Sequence, residues 1–479
     1  MSQPAETSRH HPFVDACRTA IGAAHVLTDP HDTAPYVTDW RRRYTGATLA
    51  VLCPSSAEEV AALVRLAVEH RIVIVPQGGN TGLAGGATPD SSGKQAVLSL
   101  KRLNRIRDID PHNNTITVEA GVVLAEVQAR AQEAGRLFPL SLAAEGSCTI
   151  GGNLATNAGG TGVLRYGNTR ELCLGLEVVT AQGELWDGLR GLRKDNTGYD
   201  LRDLFIGSEG TLGVITGATL KLYPQPAAVT TALATTATLS AAVELLQLAQ
   251  AHLGPALTGF EAMNELALAL VAQQFPALRQ PLAAAPWTVL IEQSDAENAE
   301  HARARFEALL EAALARGCIT DAAVAASLEQ SKAMWHLRES IPLAQSLAGA
   351  NIKHDIALPA SAVAEFVATT DAALQAAFPG VRLVDFGHLG DGNLHYNVQA
   401  PDGMAPPDFL GAFESKVNAL VYDAVTARGG SISAEHGIGE QKRDALAQRK
   451  SPVALQLMRA IKRALDPENL LNPGRVLKP

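Results

Sequence analysis

Glycine is distributed unevenly along this chain, and its clusters restrict the possible folds more than any other feature of the sequence. The chain of 479 residues contains 41 glycines. They crowd into short segments such as PQGGNTGLAGGA at 76–87, EGSCTIGGNLATNAGG at 145–160 and GSEGTLGVITG at 207–217. Without Cβ atoms, successive backbone N–H groups can converge on an anion, and a ligand can approach the main chain closely. One such loop would be read as a structural turn, but three in one region predict an extended groove for a large polar cofactor.

The size, charge and cysteine content of the chain limit the class of protein. At 479 residues the chain is longer than a single hydrophobic core supports, so two or three domains are expected. A formal net charge of −9 without a basic tract argues against nucleic-acid binding. No stretch approaches the roughly 18 apolar residues of a membrane helix. Since no signal-peptide pattern opens the chain and no CxxC pair occurs, we expect a cytoplasmic protein with free thiols and no transmembrane segment.

The order of the sequence patterns predicts four segments, at 1–45, 46–226, 227–430 and 431–479. Residues 46–75 read as strand, helix and strand, with Ser55 or Ser56 as the N-cap of the helix. LGLEVVTAQGELW predicts a hairpin with its turn at Gln182–Gly183. From 227 to about 335 the chain is rich in Ala and Leu and mostly helical in pattern, with strand-like insertions such as WTVLIEQ.

Two histidines flank a predicted hairpin turn near the C-terminus. In GHLGDGNLHYN, Asp391–Gly392 is a strong two-residue turn signal. With those turn residues, His388 stands opposite His395, and Asn397 stands on the same face opposite Phe386. The two histidine Cβ atoms would then be roughly 4.5–5.5 Å apart, close enough to chelate one ion. The spacing is equally compatible with strand histidines that only make hydrogen bonds.

The longest motifs resemble those of a known flavoprotein family. PQGGNTG, EGSCTIGGNLATNAGG and GSEGTLGVIT together resemble the FAD-binding domain of the vanillyl-alcohol-oxidase type, also called the p-cresol methylhydroxylase (PCMH) type. The C-terminal motifs are similar to the branch that oxidises D-2-hydroxy acids, which includes D-2-hydroxyglutarate dehydrogenase, flavin D-lactate dehydrogenase and the glycolate oxidase flavin subunit. The resemblance covers nearly the whole chain. It implies an α+β fold, with a two-subdomain PCMH-type FAD-binding domain at 46–226 and an α+β substrate (cap) domain with an antiparallel sheet at 227–430.

The resemblance also implies which residues bind FAD. Gln77–Gly82 would hold the pyrophosphate, the second glycine block would line the flavin and its chain, Ile215 would lie near the adenine, and Asn472 would reach the isoalloxazine. Relatives with covalent flavin carry a His in the first glycine loop, and this loop contains none, so non-covalent FAD is expected. The complete implied set is Pro76, Gln77, Gly78, Gly79, Asn80, Thr81, Gly82, Leu83, Glu145, Gly146, Ser147, Thr149, Gly152, Asn153, Thr156, Gly210, Ile215 and Asn472.

A metal site and a catalytic base follow from the same resemblance. His388, His395 and Glu435 match the residues that bind a zinc-type metal, and two histidines with one carboxylate are also compatible with manganese or iron. His436, the next residue, would be the general base, because imidazole accepts protons near neutral pH. The alternative for His436 is a role beside the metal ligands.

Carboxylate-binding residues of the family match positions in the second domain. Arg338 lies in a helix-like segment and suits a bidentate grip on a carboxylate, while Lys353, at the start of a strand, supplies a point charge. Asn397 shares the face of the histidines. The branch that oxidises D-2-hydroxyglutarate carries a hydroxyl residue four positions after that Arg, but this chain has Pro342 there. Ser340 could substitute, yet the departure puts a five-carbon diacid in doubt.

The activity that the resemblance implies is metal-assisted oxidation of a D-2-hydroxy acid to the 2-oxo acid. The substrate would be similar to D-2-hydroxyglutarate, D-malate or D-lactate, and hydride would pass to FAD. Electrons would then leave to an electron-transfer flavoprotein, a quinone or a cytochrome, and a homodimer is compatible with the family. Two alternatives stay open: an oxidase of the glycolate or D-lactate type that uses oxygen, and a flavin- and metal-binding sensor without turnover.

Overall fold

The computed structural model describes residues 11–478, apart from the side chain of Pro406, and divides the chain into two compact units. The first unit comprises residues up to 160, 167–224 and the segment from 435 onward, and the second comprises 161–166 and 225–434. The first ten residues of the predicted leader lie outside the described part. Within residues 11–478, no helix is both long enough and apolar enough to cross a membrane.

The chain forms both helices and strands, which we number from the N-terminus. The helices are α1 (Pro12–Ile21), α2 (Pro30–Thr33), α3 (Ala57–His70), α4 (Leu124–Glu133), α5 (Ile150–Thr156), α6 (Val163–Tyr166), α7 (Thr169–Leu172), α8 (Arg202–Phe205), α9 (Leu239–Leu253), α10 (Glu265–Gln274), α11 (Ala299–Ala315), α12 (Leu328–Glu339), α13 (Ile341–Leu347), α14 (Ala360–Ala377), α15 (Pro406–Ala427), α16 (Arg443–Arg449) and α17 (Pro452–Leu465). The strands are β1 (Val26–Leu27), β2 (Ala50–Leu52), β3 (Ile74–Gln77), β4 (Ala96–Ser99), β5 (Ile106–Asp110), β6 (Thr115–Glu119), β7 (Arg136–Leu137), β8 (Cys173–Thr180), β9 (Leu185–Gly188), β10 (Gly213–Lys221), β11 (Tyr223–Pro224), β12 (Ala228–Thr236), β13 (Leu257–Asn264), β14 (Trp287–Asp295), β15 (Asp321–Val324), β16 (Asn351–Ala357), β17 (Arg382–Gly387) and β18 (Asn393–Gln399).

The first sheet of the first unit forms around a strand–helix–strand segment. Its strands follow the order β1-β2-β4-β3, and β4 pairs in parallel with both β2 and β3. Helix α3 crosses between β2 and β3, as parallel pairing requires. Ser56 is its N-cap, because its hydroxyl accepts a hydrogen bond from the Glu59 backbone N–H at 3.2 Å. The Glu59 carboxylate accepts in return from the Ser55 backbone N–H at 2.6 Å, so both serines stabilise the start of the helix.

The second sheet of this unit is antiparallel. Its strands follow the order β5-β6-β10-β8-β9. The predicted hairpin is present as β8–β9, with Val179 opposite Leu185. Gly183 adopts a φ of 76° in its turn, a conformation that glycine reaches at little cost. The unit also holds the two-stranded pair β7–β11, and its two larger sheets agree with the two subdomains expected of a PCMH-type FAD-binding domain.

The second unit is built on one antiparallel sheet. Within residues 225–434 its strands follow the order β15-β12-β14-β13-β17-β18-β16. The expectation that 227–335 is mostly helical with strand-like insertions agrees with the structure, where α9, α10, α11 and most of α12 lie in this range and WTVLIEQ forms β14, but the sequence did not single out β12, β13 and β15. Helices pack against β12, β13 and β14, and buried strands have apolar runs that periodicity alone does not separate from helices. The predicted α+β class with an antiparallel sheet is confirmed.

The predicted two-residue turn at Asp391–Gly392 is wrong. Strand β17 ends at Gly387 and β18 begins at Asn393, so the connection between them is longer than two residues. A type I′ turn needs positive φ at both central residues, and only Gly392, at 80°, has it. Two successive turns occur instead, with hydrogen bonds from Asp391 N to His388 O at 3.2 Å and from Gly392 N to Leu389 O at 3.3 Å.

The longer connection shifts the register of the two strands. In the structure His395 stands opposite Phe386, and Asn397 stands opposite Val384. The sequence had predicted His388 opposite His395 and Phe386 opposite Asn397. The shift equals two residues, and side chains alternate between faces with a period of two. His395 and Asn397 therefore keep the common face that the sequence predicted.

Candidate active site

The glycine loops of the first unit meet in one groove. Of the eighteen residues implied for FAD, those that line the groove are Pro76, Gln77, Gly78, Gly79, Asn80, Thr81, Gly82, Thr149, Gly152, Asn153, Thr156, Gly210 and Ile215. The others lie outside its described lining: Leu83, Glu145, Gly146, Ser147 and Asn472. Several lining residues belong to the glycine-rich segments but not to the set implied for FAD, among them Gly86, Glu209 and Gly213.

Two of the glycines in the first loop allow it to approach the segment at 147–149 closely. A Cβ on Gly79 would lie 2.2 Å from the carbonyl oxygen of Ser147, and one on Gly78 would lie 2.4 Å from Thr149 Oγ1. A side chain on Gly79 would collide with backbone, and one on Gly78 would displace the Thr149 hydroxyl. The backbone of Ser147 therefore packs against Gly79, and the glycines in the groove lining leave main chain that a ligand can approach closely.

Polar atoms around the groove lack partners within the described residues. Gln77 Oε1, Thr149 Oγ1 and Asn153 Nδ2 are buried without a hydrogen bond, and so is Asn472 Oδ1. The Asn472 amide nitrogen donates to the carbonyl oxygens of Gly86 and Glu209, each at 2.8 Å. An unpaired buried polar group costs about 1–3 kcal/mol, so these atoms fit a groove that binds a polar cofactor.

His436 lines the same groove. The loop that follows it is held by Glu209, whose carboxylate accepts hydrogen bonds from Ile438 N at 2.7 Å and Gly439 N at 2.8 Å. Burial raises the pKa of Glu209, while these two N–H groups act in the opposite direction. Glu435, the residue before His436, accepts a hydrogen bond from Gly160 N at 2.5 Å. Hydrogen bonds of Glu435 and of the two residues Ile438 and Gly439 thus flank His436 on both sides in sequence.

In the second unit, His388 and His395 lie close together. Their ring centroids are 5.7 Å apart, with the rings nearly perpendicular at 75°. His388 Nδ1 contacts Glu261 Oε1 at 2.5 Å, and His395 Nδ1 lies 3.8 Å from Asp355 Oδ1. The predicted proximity is thus present, although the hairpin register that motivated it is not.

Arg338 is buried at the end of α12. Its Nε donates to Glu261 Oε2 at 2.7 Å, and its guanidinium carbon lies 4.8 Å from the centre of the Phe386 ring. Burial alone would raise the pKa of Glu261, but the contacts with His388 and Arg338 lower it below the usual value. Sequence reasoning missed Glu261, which contacts one predicted metal ligand and one predicted substrate residue.

The remaining predicted substrate residues lie on strands and helix ends of the second unit. Lys353 pairs directly with Asn397 across β16 and β18. The Asn397 amide donates to Gln345 Oε1 at 2.9 Å and accepts from His354 N at 3.2 Å, so its orientation is fixed from both sides. Ser340 is buried at the junction of α12 and α13.

Comparisons with known proteins agree with this architecture. Residues 48–188 match the model of an FAD binding domain, and residues 225–476 match that of the C-terminal domain of FAD linked oxidases. D-2-hydroxyglutarate dehydrogenase from Xanthomonas citri pv. viticola is 40% identical over 469 residues, which is 98% of this chain and 97% of that protein. The mitochondrial D-2-hydroxyglutarate dehydrogenase of Bos taurus is 40% identical over 452 residues, covering 94% and 81% of the two chains. Among solved structures, p-cresol methylhydroxylase with substrate bound aligns with a TM-score of 0.77 at 20% identity, over 97% of this chain and 96% of that one.

The fold and the groove define an FAD-dependent oxidoreductase with a PCMH-type FAD-binding domain. The chain belongs to the D-2-hydroxy-acid dehydrogenase family of FAD-linked oxidases, in the branch that contains the D-2-hydroxyglutarate dehydrogenases. The predictions of family, enzyme class and FAD are therefore confirmed.

Proposed function

We propose that this protein oxidises a small D-2-hydroxy acid, D-2-hydroxyglutarate or a shorter acid such as D-malate or D-lactate, to the 2-oxo acid. The observation that carries the proposal is that His436 lines the same groove as the glycine loops. The names of the relatives support a substrate of the hydroxyglutarate class. Bound FAD supplies the two-electron acceptor for the hydrogen on C2 of the substrate.

His436 takes the proton from the substrate's C2 hydroxyl. An imidazole is suited to this step because it exchanges protons near neutral pH. Glu209 holds the loop that follows His436 through the N–H groups of Ile438 and Gly439. The base therefore keeps its position along the groove wall without depending on the substrate.

His388, His395 and Glu435 hold a divalent metal, with zinc as the first choice and manganese or iron compatible. The Nδ1 atom of His388 is engaged by a carboxylate, which is the usual arrangement when Nε2 ligates a metal. Glu435, the third proposed ligand, accepts a hydrogen bond from Gly160 N. A divalent cation in such a site polarises substrate oxygens and lowers the pKa of the hydroxyl.

Arg338 and Lys353 bind the substrate's carboxylate groups. Glu261 engages the Nε edge of Arg338, and within residues 11–478 no acceptor occupies the two terminal nitrogens, so that fork suits a carboxylate. Asn397 and Ser340 are the neighbouring polar groups that we assign to the same pocket. Pro342, in the first turn of α13, offers no donor there, so the chain length of the acid must come from measurement.

A panel of 2-hydroxy acids tests the proposed function. Under anaerobic conditions we expect D-2-hydroxyglutarate, D-malate or D-lactate to bleach the yellow protein, and the L-enantiomers to leave it oxidised. The base must reach the hydroxyl group while the flavin reaches the hydrogen on C2, and only one configuration at C2 allows both. Visible absorbance of the flavin is the measurement. A flavin that stays oxidised with every D-acid and with achiral glycolate would refute the proposal.

The electron acceptor is tested on the same preparations. We propose that reduced FAD passes its electrons to an electron-transfer flavoprotein, a quinone or a cytochrome. Substrate turnover should then reduce an artificial dye in air and yield little hydrogen peroxide. Peroxide formed in equal amount to the 2-oxo acid would assign the protein to the oxidases instead.

We propose further that the FAD is bound non-covalently. No histidine occurs in the glycine loop at 76–87, and the groove offers polar atoms and main chain as binding groups. Acid precipitation should release the yellow colour into the supernatant, with a colourless protein pellet. Flavin fluorescence that remains on the polypeptide after denaturing electrophoresis would contradict this prediction.

A further inference from the structure

Glu261 connects two functional residues that come from different elements. It lies on β13 and is completely buried. One carboxylate oxygen contacts His388 Nδ1 at 2.5 Å, and the other accepts from Arg338 Nε at 2.7 Å. His388 belongs to the connection between β17 and β18, and Arg338 to the last turn of α12. A single side chain therefore determines the orientation of both.

The contact with His388 determines which ring nitrogen can bind a metal. A carboxylate that accepts from Nδ1 keeps the proton on that nitrogen, so that the lone pair of the neutral ring is on Nε2. The neighbouring ring of His395 has its centroid 5.7 Å from that of His388. Glu261 thus favours the tautomer of His388 that a shared metal site needs.

The contact with Arg338 determines the direction of the guanidinium fork. Glu261 binds the Nε edge, and the flat group lies over the Phe386 ring at 4.8 Å. With one edge bound and one face covered, the two terminal nitrogens keep a constant direction. A preorganised fork loses less conformational entropy when it binds a carboxylate.

We propose that Glu261 is a positioning residue that sets metal binding and substrate-carboxylate binding together, through His388 and Arg338. This inference rests on the proposed function, since it assigns His388 to a metal and Arg338 to the substrate. It adds that metal binding and substrate binding depend on one side chain. A change at Glu261 therefore weakens both, although Glu261 itself contacts neither the metal nor the substrate.

The substitution Glu261→Gln tests this dependence. Two donors, His388 Nδ1–H and Arg338 Nε–H, need two acceptors, and an amide has only one acceptor oxygen. If the amide nitrogen faces Arg338, two donors oppose each other. If it faces His388, the proton on His388 Nδ1 must move to Nε2, the nitrogen that would bind the metal. We expect Zn²⁺ affinity, measured by competition with a chromophoric chelator, to fall about 10–100-fold. The KM for the D-2-hydroxy acid should rise as well, and the FAD content should not change.

Glu292→Gln is the matched control. Glu292 is a neighbouring, largely buried carboxylate on β14 that accepts from Trp335 Nε1 at 2.5 Å and Thr231 Oγ1 at 3.2 Å. It contacts neither His388 nor Arg338, so its variant should keep wild-type Zn²⁺ affinity and KM even if thermal stability falls. Glu261→Asp keeps two acceptor oxygens and should recover part of both affinities, which also covers a Gln variant that folds poorly.

The outcomes separate the role of Glu261 from the proposed function. If the wild-type protein binds Zn²⁺ and Glu261→Gln matches it in Zn²⁺ affinity and KM, the role of Glu261 is wrong and the proposed function stands. If the wild-type protein binds no metal and chelators leave flavin bleaching unchanged, the metal assignment is wrong and the first half of the inference fails with it. Equal losses in Glu261→Gln and Glu292→Gln would reduce Glu261 to a general packing role.

Discussion

Replacing His436 by Ala should abolish substrate-driven flavin reduction and leave FAD bound. The groove retains the glycine loops and the buried polar atoms of Gln77, Thr149 and Asn153, so the affinity for FAD should change little. Without the imidazole, the hydroxyl proton must leave to water while C2 is oxidised, and removal of a general base costs roughly 10²–10⁴-fold in rate. Anaerobic stopped-flow bleaching of the flavin by the best D-2-hydroxy acid measures the loss.

Two further observations would identify His436 as the base. Added imidazole should partly restore bleaching in His436→Ala, and the residual rate should rise with pH as the substrate hydroxyl ionises without help. His31→Ala is the matched control, because His31 is almost fully exposed on α2 and its loss should change nothing. Bleaching at the wild-type rate in His436→Ala would eliminate the base assignment, and loss of FAD would give His436 a cofactor-binding role.

The fold of the first unit could be predicted because its signals are local. The hydroxyl of Ser56 caps α3 within a single turn, and the β8–β9 hairpin needs only Gly183 at positive φ between two apolar runs. In the second unit the corresponding signals are weaker. Strands such as β12, with the sequence AVTTALATT, contain alanine and threonine in place of the larger β-branched residues, so the pattern does not separate strand from helix.

The proximity of His388 and His395 was predicted correctly, although the register from which it was inferred is wrong. Asp391–Gly392 predicted a register that places His388 opposite His395, but the strands are shifted by two residues. The register beyond Gly387 is influenced by β13, where Ala262 pairs with Gly387 and Glu261 binds His388. No local turn signal contains that information, because Glu261 is more than a hundred residues away in sequence.

Glu261 was missed, although its sequence carries a usable signal. In LTGFEAMN a glutamate interrupts an apolar run, and a carboxylate in a buried strand requires cationic or hydrogen-bonding partners. The sequence predicts that such partners exist but cannot identify them as His388 and Arg338. Glu209 is similar: the motif GSEG was recognised, but its contacts with Ile438 and Gly439 join segments more than two hundred residues apart.

Removal of the metal should have an effect similar in size to the loss of His436, with a different signature. We expect one divalent metal per chain by elemental analysis, and we expect a strong chelator to suppress flavin bleaching while the protein stays yellow. A metal ion in this role supplies several kcal/mol of charge stabilisation, which corresponds to a loss of about 10²–10³-fold. Zinc, manganese and iron added back singly would then identify the effective ion.

His395→Ala should reproduce the chelated state without a chelator. The ring stands 5.7 Å from His388 and lies close to Phe386 on a buried face, so its removal deletes one ligand and leaves β18 paired on both sides. His301→Ala is the control in the same unit, because His301 lies on α11 beside Asp295 and should keep full metal content. If His395→Ala retains stoichiometric metal and wild-type bleaching, the two histidines are structural, which is the alternative that the sequence left open. If it loses the metal but is bleached normally, the metal is bound there without taking part in the oxidation.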